Sequence, residues 1–199
     1  MSKVAIKGNA SGTGTFTLEA PNSNTDRTLV LPDEAGTVLT SASDIVASQL
    51  PAGSVLQVVS NSTQTRTINS TTTYADATDL SASITPSSAS SKILVIISAN
   101  IYVERNTNSA VAADVNVLRG STSIEEFVYA ADVRAAVSGD GYITAASQSS
   151  YVVLDSPNTT DSTTYKLQCK INSLRAGFVY INVFPAESTS TITLMEIAG

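Results

Sequence analysis

Tyr165-Lys166-Leu167-Gln168-Cys169-Lys170-Ile171 alternates without a break between apolar and polar side chains. Successive side chains of a strand leave opposite faces, so Tyr165, Leu167, Cys169 and Ile171 share one face while Lys166, Gln168 and Lys170 share the other. The expectation is a half-buried antiparallel strand with Cys169 in the core. Further strand-like runs fall at 55–60, 66–69, 79–85, 92–104, 113–118, 124–130, 143–154, 177–184 and 191–197, separated by turn-rich stretches. That rhythm predicts an all-β chain whose larger part is a sandwich or jelly roll. Two runs break the alternation, because Ile93-Leu94-Val95-Ile96-Ile97 and Phe178-Val179-Tyr180-Ile181-Asn182-Val183-Phe184 are apolar on both faces. Both faces of such a strand must be covered, so a subunit interface is expected, the alternative being a loop or helix folded over it.

Upstream of the sandwich the pattern is shorter. Phe16, Leu18 and Ala20 alternate in 15–20, Pro21-Asn22-Ser23-Asn24 forces a turn, and Arg27-Thr28-Leu29-Val30-Leu31 runs into Pro32-Asp33-Glu34-Ala35-Gly36 before Thr37-Val38-Leu39. This predicts a small N-terminal β attachment segment over 1–41, with too little apolar area to be stable by itself. At 43–50 a short helix is expected, with Ser43 as N-cap, Asp44 in the first turn and Pro51-Ala52-Gly53 after its end. The domain plan is therefore 1–41, a helical linker over 42–52, and a β head over 53–199.

Ser and Thr supply 54 of the 199 residues, and the charged fraction is 14% against a typical ~25%. The polar surface is therefore built from uncharged groups. A net charge of −6 with only 11 Lys and Arg leaves no basic stripe for phosphate, so nucleic acid and anionic membranes are not expected partners. The opening residues carry no apolar stretch of the length a secretory signal needs, and Ile93 to Ile97 is far too short to span a bilayer, so folding in a cytoplasm without membrane insertion is expected.

Catalytic chemistry has little to work with. There is no His and a single Cys, so a Ser or Cys nucleophile lacks its usual base, and a Cys-based zinc cage cannot be assembled. A pair of carboxylates could still run glycoside hydrolysis, and Glu125, Glu126, Asp132, Asp140, Asp155 and Asp161 are the candidates considered for it. Adjacent Glu125 and Glu126 leave opposite faces of a strand, and the aspartates sit in turn contexts such as Ser138-Gly139-Asp140-Gly141. No spaced ladder of calcium ligands appears. The chain is expected to be no enzyme, with no cofactor and no metal. Tyr is the best recognition group available, joining apolar area to a hydrogen-bonding tip. Tyr129 and Tyr142 flank a turn-rich stretch over 130–141, and with Asp132, Arg134 and Asp140 they form the candidate receptor-contact loop.

Two stretches resemble a known family. Gly12-Thr13-Gly14-Thr15-Phe16-Thr17-Leu18-Glu19-Ala20-Pro21, followed by 27–40, is similar to a β module of tail-fibre and related structural proteins of marine and other tailed bacteriophages. Leu50-Pro51-Ala52-Gly53-Ser54-Val55-Leu56-Gln57-Val58-Val59, Ile84-Thr85-Pro86-Ser87-Ser88-Ala89-Ser90-Ser91-Lys92-Ile93-Leu94-Val95 and Ser190-Thr191-Ile192-Thr193-Leu194-Met195-Glu196-Ile197 resemble the globular β domain that often follows it. Residues 106–162 carry no part of the resemblance. It implies a homotrimeric virion protein, assembled in the host cytoplasm, that docks on tail or capsid proteins through its N-terminus and displays a β head toward host surface polysaccharide. With only about 40 residues before the helix there is no long shaft, which fits a short fibre, a head-surface fibre or a small tip. The rival expectation is a capsid decoration or tail adaptor protein with a purely structural role.

Overall fold

The computed structural model describes residues 10–15, 17, 22–26, 28, 45, 49–105, 110–134, 143–184 and 187–199. The chain divides into two units, Met1–Ala42 and Ser43–Gly199. The expected strands before residue 40 and the expected helix over 43–50 lie outside the described residues, apart from isolated positions.

Every run expected after Gly53 is a strand. They are β1 (Val55–Thr63), β2 (Thr67–Asn69), β3 (Ala75–Ile84), β4 (Lys92–Arg105), β5 (Val111–Arg119), β6 (Thr122–Val133), β7 (Ile143–Asp155), β8 (Thr163–Ile171), β9 (Phe178–Ile181) and β10 (Ser190–Ile197). β1, β10, β4, β7, β9 and β2 form a six-stranded sheet, and a four-stranded sheet runs β3-β8-β5-β6. β4 is the hub of the larger sheet. It pairs with β7 along its whole length on one side, and on the other with β10 as far as Ser98 and with β9 from Ile101. The long strands of the larger sheet thus lie in the order β1-β10-β4-β7. Setting aside the short β2 and β9, every connection except the β5–β6 hairpin passes from one sheet to the other, which is the winding of a jelly-roll sandwich. Gly120 closes that hairpin at a φ of 58°, in a two-residue turn between Arg119 and Thr122.

Three boundaries differ from the expected ones for a physical reason. β9 stops at Ile181, not at Phe184, because Asn182 adopts a left-handed φ of 53°. Its fully buried side chain donates to the Thr63 carbonyl at 3.0 Å and accepts the Ser190 hydroxyl at 2.8 Å. Ser190 in turn accepts the Asn100 N–H at 3.0 Å, so this pair fills the gap where β4 changes partner from β10 to β9. β3 starts at Ala75, ahead of the expected 79, and carries an irregularity between Asp76 and Ser81 where Asp79 has a φ of 59°. β6 runs on through Val133, so 130–133 is strand and not turn.

Ile93, Val95, Ile97, Ala99, Ile101 and Val103 point inward from β4, and Tyr165, Leu167, Cys169 and Ile171 meet them from β8. Burying each Ile or Leu of this kind stabilises by about 1.5–3 kcal/mol relative to exposure. Cys169 is a core residue as the alternation predicts, and burial pushes its thiol up to about 12. β5 is the strand most completely covered, since Val111 to Leu118 are all buried, Asp114 and Asn116 included.

A buried carboxylate ties the entry of the head to its closing strand. Glu196, 1% exposed on β10, accepts Gln57 Nε2 at 2.6 Å, Ser87 N–H at 2.7 Å and the Ser87 hydroxyl at 2.7 Å. Burial opposes the charged form, but the bonds from Ser87 and Gln57 outweigh it and hold the carboxyl below the usual glutamate range. A carboxyl depressed in the folded state contributes stability above the unfolded value of about 4.3 and loses it as pH falls through the lower folded value. Glu196→Gln is expected to cost about 1–3 kcal/mol at pH 7, and the gap between the urea midpoints of wild type and variant is expected to shrink at pH 3. A gap that stayed constant with pH would show that the charge of Glu196 is not what the site uses.

Candidate functional site

Three of the five expected receptor-contact residues come together at the end of β6, Tyr129 and Asp132 on the strand and Arg134 just after it. The guanidinium carbon of Arg134 lies 5.5 Å from the centroid of the Tyr129 ring, and Arg134 Nε donates to Asp132 Oδ2 in an ion pair. The Arg134 side chain is 69% exposed and that of Asp132 15%, so the pair forms a polar ledge with the cation outermost. Asp140 and Tyr142 lie outside the described residues.

A bulge aims Tyr129 outward. Ala113 pairs with Ala131 and Val115 with Phe127, so Asp114 alone faces Val128, Tyr129 and Ala130, and Tyr129 is held at a φ of 57°. Asp114 stabilises that backbone. Its Oδ1 accepts the Tyr129 N–H at 3.0 Å, and both of its oxygens accept Asn172 Nδ2, at 2.9 and 3.0 Å, while Lys170 stands 3.7 Å from Oδ2. At 2% exposure this charge is fully desolvated, and the set of donors compensates it. The network continues over the outer surface of the smaller sheet. Glu126 accepts Tyr74 Oη at 2.6 Å and Lys170 Nζ at 3.1 Å, Lys170 sits 4.2 Å from the Tyr74 ring centroid, and Lys166 pairs with Asp76 at 2.7 Å. Bonds from Tyr74 and Lys170 hold Glu126 below the usual carboxylate range, and burial together with Glu126 pushes the Tyr74 hydroxyl up. The remaining catalytic candidates are also structurally engaged or apart: Asp155 is held by Arg119 Nη1 at 2.8 and 2.9 Å and by Tyr165 Oη at 2.7 Å, and Asp161 lies in the β7–β8 loop. Among the described residues no group of three or more Cys, Asp or Glu side chains is placed to hold a metal ion, and no helix is long and apolar enough to cross a membrane.

The larger sheet has the opposite character. Its registers place Val58 beside Met195, Met195 beside Leu94 and Leu94 beside Leu154, a single apolar row across β1, β10, β4 and β7. Ile96 and Val152 are neighbours in the next outward row along β4, and Val55 lies beside Ile197. Val55, Val58, Val152 and Leu154 are 51–57% exposed. Toward the far end of the same face Tyr102, Tyr180, Phe178 and Phe184 cluster, with ring centroids 5.6 Å apart for Tyr102–Tyr180 and 6.4 Å for Tyr102–Phe184. Among the outward side chains of these six strands the charged ones are Lys92 and Glu104, at opposite ends of β4. The doubly apolar reading of 93–97 therefore leads to a continuous surface, but most of that surface comes from strands whose alternation looks ordinary. Val152-Val153-Leu154 was the one local hint of it.

No family model matches the chain, and no curated protein matches it. Among solved structures it is similar to a VP2 mutant protein of infectious bursal disease virus in derived T=1 particles, with 13% identity and a TM-score of 0.32, covering 73% of this chain and 37% of that one. It is also similar to the structure of the Gx strain of that virus, with 12% identity, a TM-score of 0.32, and 73% and 41% covered. The chain spans less than half the length of these proteins. At such overlap the likeness identifies neither a family nor a function.

Because Asp114 is buried and holds the Tyr129 backbone, Asp114→Ala is expected to destabilise the head by about 1–3 kcal/mol in urea unfolding, and more than Glu126→Ala on the exposed side of the same network. Equal costs for the two variants would mean that the bulge does not depend on the buried carboxylate.

Proposed function

We propose that this chain is a bacteriophage virion structural protein: a homotrimeric short fibre or surface appendage that docks on capsid or tail proteins through its N-terminal segment and displays the jelly-roll head toward host or surface glycan. The observation that carries this reading is the division of the head into a four-stranded sheet whose outer face is charged and a six-stranded sheet whose outer face carries charge only at the two ends of β4 and is apolar at the end formed by Val55, Val58, Met195, Leu94, Val152 and Leu154. Contiguous apolar patches beyond a few hundred Å2 on a soluble domain mark a surface that another body covers, so the head is built as a component of an assembly. The virion setting draws its support from the resemblance of 12–40, 50–59, 84–95 and 190–197 to phage appendage proteins.

The mechanism is binding by surface complementarity, without catalysis and without a cofactor. A polysaccharide is held by hydroxyl, amide and aromatic groups, and the ledge of Tyr129 and Arg134 offers a ring face and a fork of donors beside a surface rich in Ser and Thr. The solution mass of the full chain, by light scattering coupled to size exclusion, is expected to be three times 20.6 kDa. A stable monomer would overturn the fibre and leave the decoration or adaptor protein, whose apolar face the particle itself covers. The receptor half is tested separately: Tyr129→Ala combined with Arg134→Ala is expected to reduce retention on host cells or their extracted polysaccharide at least tenfold with the oligomer intact, and retention equal to wild type would remove the ledge from the binding role.

A further inference from the structure

We infer that three copies of this chain meet around an axis through the outer face of the six-stranded sheet, at the end formed by Val55, Val58, Met195, Leu94, Leu154 and Val152, each copy sharing that face between its two neighbours. This rests on the oligomeric reading above and assigns its contact surface to a second copy of the same chain. Three observations select that occupant.

Charge is the first. The chain carries −6, so two copies approaching by a charged surface bring like charges together, whereas this face meets its own copy without that repulsion. A strongly charged partner would find nothing to pair with here, since Lys92 and Glu104 stand at opposite ends of β4 and the side chains between them are neutral. Area is the second. Four strands at ~4.8 Å spacing, with the 14 residues of β4 rising ~3.3 Å each, give the whole outer face roughly 19 by 46 Å, on the order of 900 Å2, so the contact takes in the hydroxyl belt beside the apolar end as well as that end. A standard stable interface takes about 800 Å2 from each partner. Position is the third. The apolar row lies where the chain enters the head: Val55 opens β1, and the preceding residues are fastened to the closing strand by Gly53 N–H to Ala198 O and Ala198 N–H to Ser54 O, both 2.8 Å. Copies joined through this end bring their entering segments side by side, as an attachment through the N-terminus requires. The charged sheet and the Tyr129 ledge then remain free.

The test uses the full chain with single lysines at exposed valines. Val58→Lys and Val152→Lys alter side chains that are 55% and 57% exposed, and Val128→Lys makes the same change at 57% exposure on β6 of the other sheet. Each lysine takes the net charge from −6 to −5, which lowers general repulsion, so lost association would report the contact itself. By light scattering the wild type and Val128→Lys are expected at three times 20.6 kDa, and Val58→Lys and Val152→Lys at 20.6 kDa with an unchanged circular dichroism spectrum. For a lysine variant that loses its strand signature, Val152→Thr replaces it, with the oligomer expected to dissociate at a tenfold higher concentration. An oligomeric wild type whose β1 and β7 variants keep its mass and dissociation concentration would overturn this contact and leave the oligomeric reading standing. A monomeric wild type would overturn both.

Discussion

Scarcity of charge constrains the whole surface of this head. A sheet in a two-layer sandwich has an outer face that must meet water or another surface, and a chain with 14% charged residues has little ionic material to divide between two such faces. The division is uneven. Asp76, Asp114, Glu126, Lys166 and Lys170 gather on the four-stranded sheet, where each has an opposite charge within 3.7 Å, and the outward side chains of the six-stranded sheet include Lys92 and Glu104 as their charged members, at the ends of its hub strand. The more exposed of these pairs, Lys166–Asp76 and Lys170–Glu126, add little stability one by one, roughly 0–1 kcal/mol each. Their arrangement matters more for where the molecule is willing to be dehydrated.

Glu196 draws three distant stretches of the head onto one group. These stretches, around Gln57, Ser87 and Glu196, are separated by up to 139 residues in sequence, yet their side chains close on one carboxylate. Ser87 belongs to the Pro86-Ser87-Ser88 link between β3 and β4, Gln57 follows the irregularity in β1 between Val55 and Gln57, and Glu196 ends the inward series of β10. A buried carboxylate is costly unless every lone pair finds a donor, so residue types at all of these places are fixed together. The three stretches therefore depend on one another through this carboxylate, independent of what the head binds.

The strands were legible because period two is local: β8 can be read from seven residues, and Cys169 takes its place in the core from that reading alone. The ends of strands were less so. Nothing near Asn182 announces a left-handed residue, since its conformation depends on Thr63 and Ser190, which arrive from β1 and β10. The ledge of Tyr129 and Arg134 was legible in part for the same reason. Tyr129, Asp132 and Arg134 are near neighbours in sequence at the end of β6, but the aspartate that sets the Tyr129 backbone is on β5, and its own donor Asn172 follows β8. The apolar row was the hardest to foresee. Each of its members is a single outward apolar side chain on its strand or half of an apolar pair, and only the registers of three strand pairings make them one surface.

Between that row and the aromatic cluster runs a belt of hydroxyl and amide groups, and such a Ser/Thr-rich belt suits the contact proposed for this face. The Ser60 and Thr193 hydroxyls lie 3.1 Å apart, and Gln148 Nε2 donates to Ser98 Oγ at 2.9 Å, so these groups satisfy one another within the sheet before any second surface arrives. Covering a polar group that already has its partner costs far less than covering one that must give up water, and far less again than covering a charge. A belt of lysines and glutamates would keep this face wet and hold copies apart. A belt of leucines would make the lone chain prone to stick before assembly. Neutral groups paired across neighbouring strands keep the unassembled head soluble and still let the face close, which is the balance a surface needs when it spends time both free and covered.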